Sequence, residues 1–252
     1  FWALRKHNTK KVISTGGLIA LPVSLAAWLQ SIPIELWELN ATPGGAISWC
    51  APFASKVVVN VPDAQDHFPT RSCELKPYPV QYPNNTTLNQ KAARIDLGLD
   101  PSKKTILILG GSQGSVFLNS AIKKTLEHQD TLRSHIQIIH QTGTSDARNW
   151  QQLYNQLNIP AIVFPFCYDL VPHYAAADMV VCRSGSGTLH ETLFFEKPFI
   201  TIPLEAHTTA HQVDNARAIE RLHPKLCTVL LQHQIADDMQ LLYDAIITKL
   251  NI

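Results

Sequence analysis

No stretch of this 252-residue sequence approaches the roughly 20 consecutive apolar residues that cross a bilayer, although 45% of it is hydrophobic. An excess of one charge is missing too. The 21 Lys and Arg residues face 20 Asp and Glu, for a formal net charge of +1, which argues against a strongly basic nucleic-acid binder. The pairs Arg5-Lys6 and Lys10-Lys11 are the clearest basic clusters and read as solvated surface. The five cysteines show neither CxxC nor Cys/His metal spacing, so they read as free thiols in a reducing compartment, with no metal site. No Gly-Lys-Ser/Thr follows a glycine loop, which excludes a P-loop, and the lack of GxGxxG weakens a nicotinamide or flavin reading. Ser-His-Asp, HExxH and close carboxylate pairs are absent, so nothing suggests a hydrolase and no cofactor is called for. The start, Phe1-Trp2-Ala3-Leu4-Arg5-Lys6, has neither Met nor signal-peptide order and reads as the interior of a longer protein.

What is present is alternation. Short β-branched runs follow one another with amphipathic stretches between them, the signature of βαβ units and a mainly parallel sheet. Strands are predicted at Lys11–Ser14, Ile32–Glu38 and Lys56–Asn60, with a helix from about Leu21 to Gln30 that carries Pro22 in its first turn. Ser72 to Thr87 is rich in Pro and Asn and reads as a linker. The alternation then restarts with strands at Thr105–Leu109, Ile136–Gln141, Ala161–Pro165, Asp178–Cys182 and Phe199–Ile202, and closes with helices at about Ala210–Arg221 and Gln234–Leu250. The expected architecture is α/β with two Rossmann-like domains. Residues 1–84 form an incomplete first domain with its linker, 85–233 a second domain, and 234–252 a C-terminal helix. The first is read as incomplete because it shows about three strands where a doubly wound sheet has roughly five or six.

Three Gly/Ser/Thr-rich loops each follow a strand and open a helix: Thr15-Gly16-Gly17, Gly110–Gly114 and Arg183–Thr188. Glycine lets backbone N–H groups approach an anion, and a helix N-terminus adds roughly half a positive charge. Glycine also serves tight turns for structural reasons alone. Two such loops in one domain point to a diphosphate. Glu191 lies about one helical turn beyond Thr188. It either accepts from the vicinal hydroxyls of a ribose or forms a helix-start capping box with Thr188. A third cluster, Glu205-Ala206-His207-Thr208-Thr209-Ala210-His211-Gln212, offers polar groups suited to sugar hydroxyls. Asp169 and Asp178 bracket a short helix and read as caps.

These residues resemble the MurG family of N-acetylglucosaminyltransferases, which convert the undecaprenyl-linked muramyl-pentapeptide lipid I into lipid II. The resemblance runs in order through Ser14-Thr15-Gly16-Gly17, Glu38–Gly44, Leu109-Gly110-Gly111-Ser112-Gln113-Gly114 with Asn119, and Phe166–Leu170. It continues through Tyr174–Asp178, Cys182-Arg183-Ser184-Gly185, Thr188 and Glu191, and ends at Pro203-Leu204, His211-Gln212 and Asn215-Ala216. It implies a metal-independent, inverting GT-B glycosyltransferase with its donor in the second domain. By the family's pattern, Gly111, Ser112, Gln113 and Gly114 approach the donor's phosphates and sugar, and the backbone at Cys167 holds uracil. Ser186, Gly187, Thr188 and Leu189 hold the α-phosphate and ribose, with Glu191 on the ribose hydroxyls. Gln212 contacts the N-acetylglucosamine hydroxyls, Asn40 faces the donor from the first domain, and Thr15, Gly16 and Gly17 complete the binding set. The implied partners are UDP-N-acetylglucosamine, the lipid-linked acceptor and, peripherally, the cytoplasmic face of the cell membrane; no nucleic acid is expected.

The sequence departs from the family in three places. His-Glu-Gln-Asn is Trp37-Glu38-Leu39-Asn40. Gly-Asn-Pro-Val-Arg is Pro77-Tyr78-Pro79-Val80-Gln81, and losing that charge would weaken diphosphate binding by ~1–3 kcal/mol unless compensated. The Gly-rich loop with the histidine proposed as general base would lie upstream of Phe1, so the catalytic residue is unassigned. Alternatives within the same architecture are a UDP-sugar hydrolase or epimerase, or a non-catalytic nucleotide-sugar-binding module.

Overall fold

The run Lys104–Leu109 is apolar on both faces, the pattern of a strand covered by helices on each side, and it forms the middle of the larger of two parallel sheets. The computed structural model describes residues 1–252 except Asn84, Asn85, Thr87, Ala147 and 207–210. The chain divides into two compact units, Phe1–Pro79 and Val80–Ile252.

The first unit runs α1 (Trp2–Lys6), β1 (Val12–Ser14), α2 (Ala20–Trp28), β2 (Ile34–Glu38), α3 (Gly45–Cys50), β3 (Lys56–Val59) and β4 (Cys73–Leu75). Its strands lie in the order β1-β2-β3-β4, all parallel. The sequence led us to expect three strands here and a linker from Ser72. The fourth strand is a correction. Cys73, Glu74 and Leu75 pair with Val57, Val58 and Val59, and Glu74 is gripped by Lys56 across the strand pair and by Lys76 at 3.3 Å. Three residues of pairing are too short to show as a period-2 pattern beside so many prolines.

The second unit runs α4 (Gln90–Asp96), β5 (Lys104–Leu109), α5 (Val116–His128), α6 (Asp130–His135), β6 (Ile136–Gln141), α7 (Trp150–Gln156), β7 (Ala161–Phe164) and α8 (Val171–Ala176). It continues through β8 (Met179–Cys182), α9 (Ser186–Phe194), β9 (Phe199–Thr201), α10 (His211–Leu222), β10 (Cys227–Val229), α11 (Gln232–Asp237) and α12 (Gln240–Leu250). The strand order is β10-β9-β8-β5-β6-β7, again all parallel. From β5 the chain builds outward to β7, returns to β5's other side at β8, and builds outward to β10. Ile106 and Ile108 of β5 pack with Leu118, Ile122 and Leu126 of α5 and with Leu242, Ile246 and Leu250 of α12. Burying one such side chain contributes roughly 1.5–3 kcal/mol.

Other expectations are corrected here. The helix expected over Gln234–Leu250 is two helices. Asp238 is extended, at φ −142°, and its carboxylate accepts from the Gln240 N–H, so a new helix starts there. Strand β10 went unread because three residues after a Pro-Lys-Leu turn carry no periodicity. Asp178 is no helix cap. Its carboxylate pairs with Arg94 at 2.5 Å and accepts from the Thr105 N–H, tying α4 and β5 to β8. Asp169 does accept from the Val171 N–H at the start of α8. Tyr82, from the expected linker, is buried against Phe194 and Phe195 and belongs to the second unit.

Candidate functional site

In an open parallel sheet, ligands bind beyond the carboxyl ends of the strands where the order reverses. In the second unit that point lies between β5 and β8, and the loops leaving these strands are Gly110–Ser115 and Arg183–Gly185. Together they line a cleft of about 500 Å³, within the usual range for small-ligand sites.

The first loop is built by glycine. Gly111 and Gly114 both have φ of +84°. A Cβ on Gly114 would fall 2.3 Å from the Thr142 carbonyl oxygen. Gly143, at the end of β6, is locked against the same spot, since its Cβ would lie 2.0 Å from the Gly114 Cα. The turn closes with the Gly114 N–H donating to the Gly111 carbonyl at 3.1 Å. Among the described residues, the N–H groups of Ser112 and Gln113 find no hydrogen-bond partner. Such unsatisfied donors at a helix start suit an anion.

The second loop opens α9. Its N-cap is Gly185, so no side chain caps the first turn. This removes the capping-box reading of Thr188 and Glu191, because both lie inside the helix. Thr188 lines the cleft. Glu191 is half-buried, its carboxylate has no hydrogen-bond partner among the described residues, and burial raises that carboxyl above the usual range.

The structure therefore brings Gly111, Ser112, Gln113, Gly114, Thr188 and Gln212 to one cleft. The Gln212 side-chain oxygen accepts from the Leu204 N–H at 3.0 Å. Ser186 and Gly187 form the first turn of α9 beside it, and Leu189 turns its side chain into the core. Cys167 stands apart between β7 and α8, its thiol donating to the Asp169 carbonyl at 3.1 Å. In the first unit, Thr15, Gly16 and Gly17 leave β1, and Asn40 leaves the neighbouring β2. Gly16 and Gly17 take φ of +97° and +86°. The buried Glu38 carboxylate accepts from the Asn40 backbone and side-chain amides and from the Gly44 N–H, shaping that loop. His207 lies outside the described residues.

Sequence reasoning placed Arg183 in a candidate loop without giving its side chain a role, and gave Gly143 none. Arg183 lines the cleft and donates to Ser115 Oγ, the Ile202 and Pro203 carbonyls and Gln232 Oε1, all neutral acceptors. Burial lowers its pKa to about 10, so its positive charge stays at neutral pH without a bonded carboxylate. Its position as the first residue after β8 was the available signal.

Residues 105–243 match the glycosyltransferase family 28 C-terminal domain. Among curated proteins, the chain is 35% identical over 225 residues to the UDP-N-acetylglucosamine–N-acetylmuramyl-(pentapeptide) pyrophosphoryl-undecaprenol N-acetylglucosamine transferase of Thermodesulfovibrio yellowstonii, covering 89% of this chain and 60% of that one. The like-named protein of Halothermothrix orenii is 35% identical over 230 residues, with 86% and 61% covered. The chain thus spans about three fifths of the length of these relatives. Among solved structures, Acinetobacter baumannii MurG superposes with a TM-score of 0.76 at 24% identity over 98% of this chain and 67% of that one. The S. aureus MnaA–UDP co-structure gives 0.60 at 12%, covering 97% and 68%. The fold is that of the GT-B glycosyltransferases, as the sequence implied.

Proposed function

The chain belongs to glycosyltransferase family 28, and we propose that it carries the UDP-sugar site of an inverting transferase moving N-acetylglucosamine from UDP-N-acetylglucosamine to lipid I to form lipid II. The observation that carries this reading is the pair of glycine loops across the β5/β8 switch point, with unsatisfied N–H groups on one and an uncapped helix on the other. In this reading the diphosphate lies between Ser112-Gln113 and Ser186–Thr188. Glu191 accepts from the ribose hydroxyls, and Gln212, its oxygen held by Leu204, turns its NH₂ to the sugar. The Cys167 backbone holds the uracil. Arg183 adds positive potential where charge builds on the departing UDP, in part replacing what Gln81 does not supply. Among the described residues no cluster of three His, Cys, Asp or Glu side chains is placed to hold a metal ion.

Calorimetric titration of the chain with UDP-N-acetylglucosamine tests this. We expect saturable binding that Glu191→Ala weakens at least about tenfold, the loss of a charge-assisted contact. A folded chain without binding, or equal binding by the variant, contradicts it. Product analysis with a lipid-linked acceptor separates transfer from release of free sugar or an epimer.

The same reading places the protein peripherally at the cytoplasmic membrane face. No described helix is long and apolar enough to cross a membrane. The first unit exposes Trp2 (71%), Leu18 (98%), Trp28 (53%) and Trp49 (69%), with Arg5 and Lys6 on the same short helix as Trp2, a composition suited to a lipid interface. Co-sedimentation with anionic vesicles, reduced by Trp28→Ser and Leu18→Ser, is the check.

A further inference from the structure

Gln141 ends strand β6 and lines no cavity described above, yet both its backbone and its side chain hold the phosphate-facing loop. Its carbonyl accepts from the Gly110 N–H at 3.4 Å, and its side-chain Nε2 donates to the Gly111 carbonyl at 3.2 Å. The carbonyl partner fixes which way the amide faces, because only the NH₂ end can donate. The other end, Oε1, is buried and has no hydrogen-bond partner in the structure. A methionine of similar length would avoid that orphaned acceptor; what the glutamine offers against that cost is its hydrogen bond to the Gly111 carbonyl.

We infer that Gln141 is a positioning residue that aims the Ser112 N–H into the cleft. The Gly111–Ser112 peptide is trans, so its C=O and N–H point in opposite directions. Gly111 has φ of +84° and its Cβ would meet nothing within 4 Å, so its own surroundings leave this peptide free to turn. Two donors stop it turning: the Gly114 N–H and Gln141 Nε2 both converge on the Gly111 oxygen. With that oxygen held toward β6, the Ser112 N–H faces the opposite side, where Ser112 lines the cleft. The loop is also braced from behind. Asn119 Nδ2 donates to the Thr142 carbonyl at 3.1 Å, and His140 Nε2 lies 3.1 Å from Asn119 Oδ1. Gly143 is thereby kept against Gly114. Residues 140–143 set the backbone of the loop that meets the ligand without meeting the ligand themselves.

This inference rests on reading the Gly110–Gly114 loop as the diphosphate site. The test compares UDP with uridine, which lacks phosphates, by calorimetry on the full chain and on Gln141→Met. The expected result is a roughly tenfold loss of UDP affinity, the equivalent of one hydrogen bond, with uridine affinity unchanged. Equal losses for both ligands, or none, overturn it. Gln141→Glu, which keeps the volume but sets an acceptor against the Gly111 carbonyl, should lose more. If neither variant folds, the wild-type amide spectrum decides: UDP should shift the Ser112 N–H strongly and uridine should not, and equal shifts overturn the inference. A wild-type chain that binds neither ligand overturns the underlying assignment of the cleft, and with it this inference.

Discussion

The two units use the same strand–glycine–helix device but order their strands differently. In the second unit the order turns back at β5, so the loops after β5 and β8 diverge and leave a cleft between them. The four strands of the first unit run β1-β2-β3-β4 in one direction. Its Thr15-Gly16-Gly17 loop has the positive φ angles of the second unit's loop but no reversal beside it among the described strands. A glycine loop alone is weak evidence for a ligand, because glycine also serves tight turns; one at a reversal in strand order is stronger evidence. Packing differs too. Gly114 and Gly143 are wedged backbone to backbone, whereas Gly17 has nothing within 4 Å of where a Cβ would be.

That contrast can be broken by substitution. Gly143→Ala drives a methyl into the Gly114 backbone and should cost at least about 3 kcal/mol of stability, together with nucleotide binding. Gly17→Ala, with only backbone strain to bear, should cost about 1–2 kcal/mol. Thermal unfolding of the two variants measures both, and equal costs would erase the distinction. A second difference lies in the ion pairs. Arg94 is buried, pairs with Asp178 at 2.5 Å and donates to two carbonyls, so Arg94→Ala should destabilise by roughly 3 kcal/mol. Lys56 and Glu74 of the first unit pair at the surface, and Lys56→Ala should leave the unfolding midpoint nearly unchanged.

A smaller effect is expected of Arg183→Met. The cleft loses its unpaired cation, and UDP affinity should fall by roughly tenfold while uridine binding persists. The smallest effect concerns pH. Burial raises the Glu191 pKa above 4.5, so its favourable contribution is complete below that value and is lost as pH rises through the folded-state pKa. Glu191→Gln should match the wild type near pH 4 and be more stable than it near pH 7, while binding UDP-sugar more weakly. Chemical denaturation at the two pH values gives the comparison.

Much of this was legible in the sequence. Thr105–Leu109 is long enough, and apolar enough on both faces, to announce a buried parallel strand, and Ile136–Gln141 carries three isoleucines in a run of similar length. Gly110–Gly114 and Arg183–Thr188 stand immediately after their strands. What was illegible had no local signal. Strands β4 and β10 exist because a neighbour offers an edge, and three residues cannot display a period. Asp178 looked like a cap because its partners, Arg94 and Thr105, are distant in sequence. Gly143 and Gln141 matter only through contact with a loop about 30 residues earlier, and Arg183 only through its place at the reversal of strand order.

The most direct measurement is a crystal structure of the chain with UDP. The expected density places the diphosphate within hydrogen-bond reach of the Ser112 and Gln113 N–H groups and the first turn of α9, with the ribose against Glu191. UDP bound elsewhere, or a diphosphate turned away from both glycine loops, would contradict the assignment of the β5/β8 cleft as the donor site.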